Sequence, residues 1–115
     1  MGARGEGVLL VDGREVRVLF TNRALARAET ALGKTVLDLT RGVSRGDIGV
    51  NQVAELLRAG IEAAQLEAGN KPTVTLDDAY EVMDAVGFPE TARVVLEAFT
   101  VVMNYRPGAD AHPPA

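Results

Sequence analysis

The chain has 115 residues, with no cysteine or tryptophan, one histidine (His112), one serine (Ser44) and a net charge of −4. That composition excludes disulfide scaffolds, thiolate-bound metals and thiol nucleophiles, and one imidazole is too few for a His-based metal site. A Ser–His–acid triad would have to recruit both lone copies, and His112 lies in a Pro-flanked tail.

Residues 1–7 are Gly-rich and are expected to form a flexible leader ahead of a single domain over 8–105. Val8–Val11 and Glu15–Phe20 flank Asp12-Gly13, a turn dipeptide that predicts a β-hairpin because a type I′ turn needs positive φ at both central positions. In the second strand Val16, Val18 and Phe20 alternate with Glu15, Arg17 and Leu19, which predicts one buried face. A lone hairpin is marginal, so it must pack on helices.

Thr21 or Asn22 caps a first helix to about Leu32, ended by Gly33. Val36, Leu37 and Leu39 form a short apolar continuation, and Arg41–Gly49, with three glycines, reads as a loop. A long helix follows over about 50–68, with Val53, Leu56, Leu57, Gly60, Ile61 and Ala64 on one face. Gly60 within that stripe predicts close approach of another element, either the hairpin or the last helix. Thr75 caps a helix over 76–86 whose early Asp77 and Asp78 suit the positive end of its dipole. Gly87 ends it, and Pro89 opens a last helix to about Tyr105. Arg106-Pro107-Gly108 stops that helix, and 106–115 is expected to be a disordered tail. The fold class is therefore α+β and mostly α-helical, an N-terminal β-hairpin packed on about four helices.

The last helix is unusually apolar. Glu90, Arg93, Glu97, Thr100 and Asn104 form one narrow polar stripe, and most other positions are apolar or small. Such a helix is either a central core helix or one that shares its surface with another chain. Its Val95, Phe99, Val102 and Met103, with Leu57 and Ile61 of the 50–68 helix, are the candidate partner-binding residues.

Other patterns carry little chemistry. Arg45-Gly46-Asp47 is a bare three-residue match to an integrin motif, and Gly2, Gly5 and Gly7 lack the strand–helix setting and Lys-Ser/Thr of a phosphate loop. Asp77, Asp78, Glu81 and Asp84 share a helix, where a solvated face accounts for them better than a cation site, which draws its oxygens from loops. No catalytic residue, cofactor or metal is expected. No apolar run reaches the ~18 residues of a membrane span, and the N-terminus lacks the apolar segment of a signal peptide. Position 6 is Glu6, where the myristoylation pattern needs Ser or Thr.

Residues 1–45 hold eight Lys/Arg against five Asp/Glu, and 46–115 hold four against eleven. The two halves are thus oppositely charged. Solvated faces explain this, and so would self-association of copies through complementary charge. The arginines are scattered over several elements, so no nucleic-acid recognition helix is evident.

The order of these elements resembles a known family. The hairpin leads into Thr21-Asn22-Arg23-Ala24-Leu25-Ala26-Arg27-Ala28-Glu29-Thr30-Ala31-Leu32-Gly33-Lys34-Thr35. Val53-Ala54-Glu55-Leu56-Leu57-Arg58-Ala59-Gly60-Ile61, Thr75-Leu76-Asp77-Asp78-Ala79 and Val86-Gly87 follow. Over about 15–103 the chain resembles the small tail assembly chaperone-like proteins of long-tailed phages and gene transfer agents, with Glu29, Leu32, Gly33, Leu57, Ala59 and Gly60 the most telling positions. The resemblance implies a non-enzymatic protein that binds and solubilises the tape measure protein and helps recruit tail tube protein. It would act in the host bacterial cytoplasm during virion assembly. The alternatives are a structural tail or head–tail junction subunit retained in the virion, and a small DNA-binding regulator.

Overall fold

A computed structural model describes residues 5–71 and 73–105. Residues 1–4 of the leader expected over 1–7, and the tail expected over 106–115, lie outside the described residues. Strand β1 (Glu6–Val11) pairs antiparallel with β2 (Arg14–Leu19) in a register running from Glu6↔Leu19 to Val11↔Arg14. Asp12 and Gly13 close the pair at φ 51° and 79°, the double left-handed step of a type I′ turn. Five helices follow among the described residues: α1 (Asn22–Leu32), α2 (Val36–Ser44), α3 (Val50–Glu67), α4 (Leu76–Val86) and α5 (Phe88–Asn104). The molecule is α+β and mostly helical, as the periodicity predicts.

Two boundaries and one burial pattern differ from expectation. First, the strand begins at Glu6, inside the segment read as a leader. Gly5 is buried, and its carbonyl accepts the Phe20 N–H at 3.1 Å. A Cβ on Gly7 would lie 2.9 Å from Val94 Cγ1, so this glycine lets β1 settle on α5. The Gly-rich composition reflects close packing here. Second, Arg41–Ser44 continue α2, which makes five helices in place of about four. The buried Gly42 lies within that helix, and its carbonyl accepts the Asp47 N–H at 2.7 Å. Only 45–49 form the loop. Third, Leu19 is as buried as Val18 and Phe20, so the end of β2 is covered on both faces.

Capping follows the residues that predict it. Thr21 Oγ1 accepts the Ala24 N–H at 3.1 Å, and Gly33, at φ 64°, ends α1. Thr75 and Asp78 exchange reciprocal bonds at 3.1 and 2.9 Å at the start of α4. The Glu29 carboxylate reaches across from α1 to accept the Val36 N–H at 2.8 Å, which ties the start of α2 to α1.

Helix α3 is the hub. It packs against α1, β2, α4 and α5, and buries Val53, Leu56, Leu57 and Ile61 together with Gly60 and its alanines. Helix α5 lies against β1 and α3, and buries Thr91, Val94, Val95, Ala98 and Phe99. The Phe99 ring meets Phe20 edge-on, with centroids 6.0 Å apart at 80°. All five residues of the α5 polar stripe are exposed, so this helix spends much of its apolar surface on its own chain. Thr91 interrupts that apolar surface. Fully buried, it donates its hydroxyl to the Gly87 carbonyl at 2.8 Å.

Candidate partner-binding site

The candidate partner residues do not form one surface. Val95, Phe99 and Leu57 are fully buried, and Ile61 retains only 7% of its exposure. A docking role for these four is corrected: the hairpin, α3 and α5 need the same side chains to close the core. Periodicity identifies an apolar face but not the chain that covers it. Val102 and Met103 lie half-buried at the core's edge near the end of α5.

The open apolar surface lies elsewhere. Helices α1 and α3 pack through small residues, Ala24 and Ala28 against a face that includes Ala59 and Ala63. The shallow side chains leave a groove of about 350 Å³ between the helices, floored by Ala24, Ala59, Ala63 and Leu66. Leu66 is a large apolar side chain in this lining and is 43% exposed. Arg23 and Arg27 of α1, and Glu62 and Glu67 of α3, form its charged rims. Arg27 is bridged to Glu62 at 3.3 Å across the seam.

A second groove, about 430 Å³, continues along α1 beyond this bridge. It is lined by Arg23, Ala26, Arg27, Thr30, Ala31 and Arg58. Among the described residues no carboxylate lines it. The adjacent-helix signal was present in the sequence as Ala24/Ala28 and Ala59/Ala63, each pair four residues apart on one helix face. Small residues at that spacing mark helices that approach closely and leave shallow furrows beside the contact.

The other charged groups are dispersed over the surface. Asp77, Glu81 and Asp84 all face solvent, while Asp78 caps its own helix. Among the described residues no group of three potential ligands is placed to hold a metal ion. On exposed α5, a two-bond contact with Arg93 at 2.9 and 2.7 Å holds the Glu90 carboxyl below its ordinary range and raises the Arg93 guanidinium. This pair belongs to the helix surface and borders neither groove. No described helix is long and apolar enough to cross a membrane. Comparison with family models, with curated proteins and with solved structures finds no match for the chain.

Proposed function

We propose that this protein is a non-catalytic phage tail assembly chaperone. It binds helical segments of the tape measure protein, keeps that protein soluble and helps recruit tail tube subunits in the host bacterial cytoplasm. The observation that carries the reading is the first groove. Five of the six positions most telling for the resemblance, Glu29, Leu32, Leu57, Ala59 and Gly60, belong to α1 and α3, the two helices that build it.

The groove suits a helical client. Its alanine floor admits the ridge of an amphipathic helix, Leu66 supplies an apolar anchor, and rims of both signs can pair with the polar flanks of the incoming helix. Shallow, apolar and charged at the rim, it matches recognition by surface burial and contains no focused cluster of reactive groups.

Co-expression with the tape measure protein of the same gene cluster tests the reading. The client is expected to become more soluble and to co-purify. Mass spectrometry of purified virions separates the chaperone from a retained tail or head–tail junction subunit, since a chaperone is expected to be absent from the particle. Salt-dependent DNA binding would favour the regulator.

A further inference from the structure

We infer that the second groove, on the Arg58 side of α1, is a docking site for helix α4 of a second copy of this chain. Charge complementarity identifies the occupant. Arg23, Arg27 and Arg58 surround a floor of Ala26, Thr30 and Ala31. Glu29, the single carboxylate of α1, is turned away to cap α2 at 2.8 Å and so leaves the groove uncompensated from that helix.

Glu62 and Glu55 pair with Arg27 and Arg58 at 3.3 and 3.0 Å. Each of these contacts occupies part of a guanidinium that carries five N–H donors, so both arginines retain donors for a further carboxylate. Among the described residues Arg23 has no ion-pair partner.

The complementary surface is on the same chain but elsewhere. Asp77, Glu81 and Asp84 follow i, i+4, i+7 spacing on α4, are exposed, and among the described residues form no ion pair. Their stripe is about 10 Å long, and the groove from Arg23 to Ala31 is about 12 Å, at 1.5 Å per helical residue. Small side chains on the floor let a helix approach closely enough for those carboxylates to reach the arginines.

Helices α1 and α4 both pack on α3, and each carries only one half of the contact. A copy that donates its α4 therefore still offers an empty groove. Two copies that exchange both contacts form a two-fold dimer, and copies that exchange one at a time form a head-to-tail series. Exposed pairs are individually weak and screened by salt, so assembly is concentration-dependent and salt-sensitive.

This inference does not rest on the chaperone reading, and its test uses the purified chain alone. Sedimentation velocity is run at about 20 mM and about 500 mM salt. The mass is expected to rise above the 12.2 kDa monomer with concentration at low salt, and to return to it at high salt. Two charge-reversed proteins, Glu81→Lys/Asp84→Lys and Arg23→Glu/Ala26→Glu, should each stay monomeric. All four positions are exposed, and circular dichroism verifies the fold. The milder Glu81→Gln/Asp84→Asn should weaken association by about tenfold. Mixing the two reversed proteins restores the native contact between the intact groove of the first and the intact stripe of the second, and sets the new lysines against the new glutamates, so the mixture should assemble. A wild type that remains monomeric at low salt, reversed proteins that assemble like wild type, or a folded mixture that stays monomeric would each overturn the inference.

Discussion

Gly60 of α3 lies directly beneath Val18 of β2: a Cβ built on the glycine would be 3.0 Å from the valine Cβ. The hairpin and the central helix touch at the one position on this face of α3 where no side chain intervenes. The groove between α1 and α3 depends on that contact indirectly, because the hairpin fixes one side of the hub and α1 packs on another.

Gly60→Ala is therefore expected to destabilise the fold by about 1–3 kcal/mol through overpacking. Helix propensity alone predicts the opposite, a gain of about 1 kcal/mol for alanine over glycine. Urea denaturation measures the sign directly. A stabilised variant would show that the hairpin is not seated on α3 at this residue.

Thr91 offers a test of a buried polar group. Its hydroxyl bond to Gly87 is local, and the Gly87 carbonyl also accepts the Thr91 N–H at 3.0 Å. Replacement by valine keeps the volume and leaves that carbonyl one partner, so Thr91→Val should change stability by less than about 1 kcal/mol. Thr91→Ala removes buried volume as well and should cost more. The two melting curves, compared with wild type, decide the order.

Glu29 ties α1 to α2 through a carboxylate on the Val36 N–H. Glu29→Ala removes a charged acceptor from a helix start and is expected to cost about 1 kcal/mol. Amide exchange should quicken first at the start of α2. Uniformly faster exchange across the molecule would argue against a local cap.

Much of this fold is legible in the sequence because its signals are local. Asp12-Gly13 specifies the turn, Thr21 and Thr75 the helix starts, and Gly33 a helix end, each through the geometry of a few consecutive residues. The misread segments share another cause. Gly5, Gly7 and Gly42 look like punctuation in one dimension, yet each packs against an element or loop that the chain reaches only after folding. The open apolar surface differs from the expected one for a related reason. Val95 and Phe99 are apolar because the core needs them, whereas the open groove is built from alanines, which carry little hydrophobic signal.

Core substitutions separate those two surfaces. Phe99→Ala is expected to destabilise by about 3–5 kcal/mol, in keeping with its full burial against Phe20. Leu66→Glu, in the groove and 43% exposed, adds a carboxylate to the last turn of α3 four residues after Glu62 and should cost about 1 kcal/mol, well short of Phe99→Ala. Thermal unfolding of both checks which residue belongs to the interior.

The most direct test of the account is co-expression of the tape measure protein with wild type, Leu66→Glu or Glu97→Ala, reading the client's soluble fraction and its co-purification. Wild type and the α5 surface variant Glu97→Ala should solubilise and retain the client, and the folded Leu66→Glu protein should do neither. A client whose solubility ignores the wild-type protein would contradict the chaperone reading, and a client held equally well by Leu66→Glu would contradict its assignment to the α1–α3 groove.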